Sequence, residues 1–229
     1  MPSTIKHVIV CIACVVAGHV ASAATPEEFV FDHLSLNVGD PAAATAWYVS
    51  HLGGVADGDS AVRFGTVRLS FRRSATPAPS AGSVIDHLAF SADGMPAGFL
   101  TDPWGTRLEI VKRGASGTLD HVHVLATDPD ATIKWLLESF GGERVNADGL
   151  QAVTFGPVRV AVERVEREPA PSEGRVIDHA GWRTANLDAS AAALKRAGVT
   201  FTIQPRTAAG LKMAFVEGPN RLRVEVLQR

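Results

Sequence analysis

One eleven-residue block occurs twice in this chain and restricts its architecture more than any other feature. Pro77-Ala78-Pro79-Ser80-x-Gly82-x-Val84-Ile85-Asp86-His87 returns as Pro169-Ala170-Pro171-Ser172-x-Gly174-x-Val176-Ile177-Asp178-His179. Two further matches follow in the same order. Trp47 with Gly53-Gly54 returns as Trp135 with Gly141-Gly142, and Phe64-Gly65-x-Val67-Arg68 returns as Phe155-Gly156-x-Val158-Arg159. Three ordered matches at nearly constant offset identify an internal duplication.

Each half divides again. An Asp-His pair opens four β-rich stretches: Asp32-His33, Asp86-His87, Asp120-His121 and Asp178-His179. Asp40-Pro41 starts an apolar segment with helical spacing that ends at Gly53-Gly54, and Asp128-Pro129 starts another that ends at Gly141-Gly142. An N-capping Asp, a Pro at the first helical position and a closing Gly predict helices there. A third helix is expected over Leu187 to Ala197, stopped by Gly198. Strand pairs are expected at AVRFGTVRLSFRR, QAVTFGPVRVAVERV and KMAFVEGPNRLRVEVLQ. The second module has only SADGMPAG where a helix would stand, so its helix is reduced to a turn. The expectation is an α+β fold of βαβββ modules spanning 32–73, 84–113, 119–165 and 176–229, arranged as consecutive domains 29–114 and 117–229.

The first 23 residues read as a signal peptide. Lys6 precedes the apolar run VIVCIACVVAG, and Val20-Ala21-Ser22-Ala23 supplies small residues for cleavage. The expected mature chain starts near Ala24 and is periplasmic or secreted, with no membrane attachment after cleavage. Cys11 and Cys14 both lie in that segment, which leaves His and carboxylates as the metal donors. The net charge of −2 gives no footprint for nucleic acid.

Even-numbered modules end in a turn and a strand carrying a Glu: Asp102-Pro103-Trp104-Gly105-Thr106-Arg107-Leu108-Glu109, and Gly218-Pro219-Asn220-Arg221-Leu222-Arg223-Val224-Glu225. Four Asp-His modules with these two turns resemble the glyoxalase / vicinal-oxygen-chelate superfamily over nearly all of 29–229. The resemblance implies paired modules that form cup-shaped mixed sheets, each holding one divalent metal ion. It implies the donor sets His33, His87, Glu109 in the first half and His121, His179, Glu225 in the second. The superfamily's fourth donor position falls on Ser70 and Ala161, neither a usual ligand. Two imidazoles and a carboxylate suit Fe, Mn, Zn, Ni or Co and leave positions open for a substrate.

Period-two alternation places Asn37, His123 and Arg183 on the same faces as these donors. Glu109, Glu225 and His123 are candidate acid–base groups, and Asn37 and Arg183 candidate substrate contacts. The resemblance implies a metal-dependent lyase, isomerase or dioxygenase acting on a small molecule with vicinal oxygens, as monomer or homodimer. A non-catalytic protein that binds a small molecule or metal is the alternative. Ring-cleaving members of the superfamily use a further His and a Tyr, and 180–224 contains neither.

Overall fold

The computed structural model describes residues 29–229; the expected signal peptide lies outside the described residues. Module 1 comprises β1 (Val30–Val38), α1 (Pro41–Leu52), β2 (Val55–Ala56), β3 (Ala61–Phe64) and β4 (Val67–Arg73). Module 2 comprises β5 (Ile85–Ser91), β6 (Gly98–Thr101) and β7 (Arg107–Val111) and has no helix. Module 3 comprises β8 (Thr118–Ala126), α2 (Pro129–Phe140), β9 (Glu143–Ala147), β10 (Leu150–Phe155) and β11 (Val158–Arg164). Module 4 comprises β12 (Ile177–Thr184), α3 (Leu187–Arg196), β13 (Thr200–Ala208), β14 (Leu211–Gly218), a 3-10 turn (Pro219–Arg221) and β15 (Leu222–Gln228).

The helices form where capping chemistry demands them. Asp40 accepts from the backbone N–H groups of Ala42 and Ala43, and Gly53 ends α1 at φ 74°. Asp128 accepts from the N–H of Ala131 in the same way, and Asn186 caps α3 by accepting from Ala189. Each cap satisfies N–H groups that have no partner inside the helix. Strand β13 was not legible because Pro205 interrupts it. It is an outer strand of its sheet, and its register with β14 shifts between Ile203 and Arg206, where a residue without an N–H costs no ladder bond.

Two mixed sheets result, and they divide the chain differently from the expected consecutive domains. The eight-stranded sheet runs β13-β14-β15-β12-β1-β4-β3-β2, and the seven-stranded sheet runs β6-β7-β5-β8-β11-β10-β9. The first joins module 1 to module 4 through antiparallel β1 and β12, the second joins module 2 to module 3 through β5 and β8. The repeated blocks are the reason. They cross from one sheet to the other as two straps that bond to each other: Val84 N–H to Ala170 C=O at 2.8 Å, Ala170 N–H to Gly82 C=O at 3.1 Å, and Val176 N–H to Ala78 C=O at 2.9 Å. A chain that changes sheet after modules 1 and 3 leaves module 2 beside module 3. The link between them is then short, and Gly117 in it packs on Gly53. A Cβ at 117 would stand 2.7 Å from the Gly53 carbonyl oxygen, on a backbone already at φ 75°.

Modules 1 with 2 and 3 with 4 still share apolar packing. Trp182 on β12 is 1% exposed and stacks on Phe140 of α2 at 4.7 Å, with Phe31 at 4.8 Å and Phe155 at 5.1 Å edge-on. On the other side Tyr48 of α1 packs near Phe90 of β5 and donates its hydroxyl hydrogen bond to Asp102 at 2.8 Å. These contacts join the two sheets through side chains. Removing a buried aromatic costs about 3–5 kcal/mol in transfer and cavity terms. Trp182→Ala should therefore lower the urea-unfolding free energy by about that much. A loss under about 1 kcal/mol would show that this cluster does not join the sheets.

Candidate metal centres

Every candidate histidine sits just after an aspartate, and consecutive side chains on a regular strand point to opposite faces. The strands break that rule where it matters. The β1–β12 register shifts between Phe31 and His33 and again between Ser35 and Leu36, opposite Asp178. The β5–β8 register shifts between Ile85 and His87 and between Ala89 and Phe90, opposite Asp120. A bulge at each Asp re-aims its side chain, so that carboxylate and imidazole meet. The Nδ1 to carboxylate distances are 3.0 Å for His33–Asp32, 2.8 Å for His87–Asp86, 2.8 Å for His121–Asp120 and 2.6 Å for His179–Asp178. Each Nε2 is thereby left facing the inner surface of its sheet with the lone pair a metal needs.

The aspartates are held in turn. Gly82 and Gly174, inside the repeated block, donate N–H bonds to Asp86 at 2.6 Å and to Asp178 at 2.8 Å. Arg107 pairs with Asp86 and Arg223 with Asp178, while Arg113 and Arg159 both reach Asp120. Burial opposes ionisation of Asp86 and Asp178, but the bonds from histidine and glycine and the guanidinium charge outweigh it and hold both at about 2. Burial opposes ionisation of Asp120 too, but its bonds from His121, Arg113 and Arg159 push it well below the usual carboxylate range. Sequence reasoning missed these arginines. Their signal was present in Arg107-x-Glu109 and Arg223-x-Glu225, the same spacing in both even modules.

The donors do not group by halves. Because β1 lies beside β12 and β5 beside β8, each set takes one histidine from each half. His33, His179 and Glu225 come together on the eight-stranded sheet; His87, His121 and Glu109 come together on the seven-stranded sheet. The grouping expected from consecutive modules, His33 with His87 and His121 with His179, is corrected accordingly. The six candidate donors named from the sequence lie on these two sheets, but which of them face one another follows from the crossing straps.

The two centres differ in closure. In the first, Glu225 Oε2 lies 2.9 Å from His33 Nε2 and 3.2 Å from His179 Nε2, and all three residues are buried. His33 lies flat over Gly181, where a Cβ would stand 2.0 Å from its ring. Burial opposes ionisation of Glu225, but hydrogen bonds and charge from His179 and His33 hold it at about 2. Burial likewise lowers His33, and its bonds to Asp32 and Glu225 overcome this to raise it. Asn37, an expected substrate contact, gives its amide to the Arg175 carbonyl at 2.9 Å and to Asp178 at 3.3 Å. Arg183 lies 3.8 Å from Asp32.

In the second centre, Glu109 Oε2 stands 3.6 Å from both His87 Nε2 and His121 Nε2, beyond hydrogen-bonding distance. His87 Nε2 is buried with no partner. Donors on one first-row ion at about 2.1 Å stand roughly 3 to 3.5 Å apart, a range that both the 3.6 Å of this centre and the 2.9 and 3.2 Å of the closed one border. A cavity of about 380 Å³ opens here, lined by His87, His121, His123, Glu109, Glu163 and Arg107 among others. The larger cleft, about 1030 Å³ between α2, α3 and the start of β1, has no histidine in its lining. The absence of a helix in module 2 coincides with the open cup. At the fourth position expected from the resemblance, Ser70 lies beside Ser35 and Ala161 beside His123, and neither offers a carboxylate.

Residues 118–226 match the family model described as the Glyoxalase/Bleomycin resistance protein/Dioxygenase superfamily. Through this segment, the second half of the duplication, the chain is similar to that superfamily. The whole fold is similar to glyoxalase I from Zea mays, with TM-score 0.69 and 16% identity over 88% of this chain and 93% of that one. It is also similar to a putative dioxygenase from Bacillus subtilis, with TM-score 0.62 and 15% identity over 89% and 86% of the two chains. A search of curated proteins finds no match. At these identities the likeness establishes the vicinal-oxygen-chelate fold with its cupped sheets.

The closed centre makes stability depend on pH in the metal-free protein. Glu225 falls from 4.5 to about 2 on folding, so its contribution is present above pH 4.5 and lost as pH drops toward 2. His33 is raised above 6.5, so its contribution is present below pH 6.5 and lost as pH rises through the folded value. Urea midpoints in EDTA should fall on both sides of that window. Glu225→Gln should flatten the acid limb, and an acid limb unchanged by the substitution would contradict the assignment.

Proposed function

We propose that this chain is an exported, divalent-metal-dependent enzyme of lyase, isomerase or dioxygenase type, acting on a small substrate with vicinal oxygens in the open cup. The observation that carries the reading is the buried, unpartnered Nε2 of His87, aimed with His121 Nε2 at one oxygen of Glu109 beside a 380 Å³ cavity. Orphaned buried nitrogens of this kind need a partner, and a cation supplies one to each donor at once. His87, His121 and Glu109 would hold the ion. When bound, it supplies Lewis acidity to two neighbouring substrate oxygens.

The protein's own groups do the rest. Asp86 and Asp120 bond Nδ1 of His87 and His121, which fixes the tautomer and orientation of both rings. Glu109 is the most exposed of the three donors, at 28%, and can take a proton from a substrate carbon at a carboxylate oxygen. The expected leader, with Lys6, its apolar run and Val20–Ala23, supports export. The closed triad His33, His179 and Glu225 carries the same donor types at the β1–β12 joint, more deeply buried, and is the second candidate centre.

The non-catalytic alternative is separated by one experiment. Protein recovered from the periplasm, with its first residue near Ala24, is analysed for metal and screened with α-hydroxycarbonyl and diol compounds. The expected result is Fe, Mn, Zn, Ni or Co lost from the open cup in His87→Ala, and turnover reduced at least about 100-fold in Glu109→Gln. Binding of a compound without turnover, unchanged by Glu109→Gln, would favour the alternative. Full turnover after chelation would overturn metal dependence.

A further inference from the structure

We propose that His123 is a fourth protein donor in the open cup, so that its ion is held by three imidazoles and one carboxylate. The inference rests on the metal reading above and adds a residue that the superfamily's donor pattern does not include.

Four observations converge on it. One ring nitrogen of His123 lies within 4.8 Å of one from each of His87 and His121. The His123 ring stacks on His87, with centroids 4.2 Å apart and planes 16° apart, which holds it beside that donor. Nδ1 of His123 is buried and has no partner. Nε2 is tied at 2.8 Å to Glu163, whose side chain is half exposed at the cavity rim. That tie does for His123 what the aspartates do for the other histidines. A carboxylate on one nitrogen fixes the tautomer and leaves the lone pair of the other free. Here the roles of the nitrogens are reversed, with Nε2 anchored and Nδ1 free.

Position explains why a donor belongs there. His123 lies directly across the ladder from Ala161, the empty fourth position on β11. The side chain absent from 161 is replaced by the one beside it. In the closed cup the equivalent pair is Ser35 and Ser70, neither an imidazole nor a carboxylate, so that centre offers three donors. An ion with four protein donors in an octahedral shell keeps two positions, the number that a chelating pair of vicinal oxygens takes. His123 is thus assigned to ligation and not to proton transfer.

Co(II) titration of the metal-free full chain tests this, with affinity and the visible absorption spectrum as readouts. The signal lost in His87→Ala defines the open cup. Two variants are compared against it. His123→Ser copies the residue at the equivalent place in the closed cup, and Glu163→Ala, at a half-exposed position, leaves the packing intact. The proposal expects His123→Ser to weaken open-cup binding at least about tenfold and to change the Co(II) spectrum. It expects Glu163→Ala to weaken binding by a smaller factor. If His123→Ser and Glu163→Ala bind Co(II) with wild-type affinity and spectrum while His87→Ala does not, the proposal fails and the three-donor metal reading stands. If the wild-type open cup binds no metal, the metal reading itself fails and takes the proposal with it.

Discussion

The bond from an aspartate to the imidazole that follows it is the constraint on which the rest depends. Adjacent residues in a strand cannot share a side unless the strand is deformed, and here it is deformed at all four places. The bulges cost ladder regularity at the two joints where the sheets meet across modules. They bring four Nε2 atoms to the concave faces, each with its tautomer fixed. The repeated Pro-Ala-Pro-Ser block serves the same end. Its glycine N–H bonds the aspartate, and its backbone forms the strap that carries the chain to the other sheet. Ligand orientation and module pairing are therefore consequences of one repeated segment.

Duplication produced two equivalent ladders that have since diverged in what they leave open. His33 over Gly181 corresponds to His121 beside Ala89, and Ser35 beside His179 corresponds to His123 beside His87. With glycine at 181 the His33 ring settles onto the backbone and closes on Glu225. With alanine at 89 and no helix in module 2, the other cup keeps a partly exposed Glu109 and a cavity. The same donor types thus give a closed, mutually bonded set on one sheet and an open, accessible set on the other. The difference in carboxylate-to-imidazole distance, 2.9 and 3.2 Å against 3.6 Å twice, is its clearest expression.

Much of this was legible in the sequence. Asp-Pro starts and Gly stops marked α1 and α2, the missing helix of module 2 was visible as a short interval, and all six donors stood at repeat-equivalent positions. The pairing of modules was not legible, because it depends on hydrogen bonds between straps some 90 residues apart that no local pattern encodes. The arginines that hold the aspartates were overlooked because a strand arginine has many uses, and only its spacing to Glu109 and Glu225 singles it out. Alternation placed Asn37 on the inner face but could not reveal that its amide is committed to Asp178. The bulges, which make each Asp-His pair work, leave no trace in residue type.

The central claim is that the metal site is assembled across the two halves of the duplication, in the open cup. Anomalous diffraction from crystals of the Co(II)-loaded protein tests it most directly. The account predicts a peak bound by His87 from the first half and His121 from the second, together with Glu109. A peak shared by His33 and His87, or none near His87 at full loading, would contradict it.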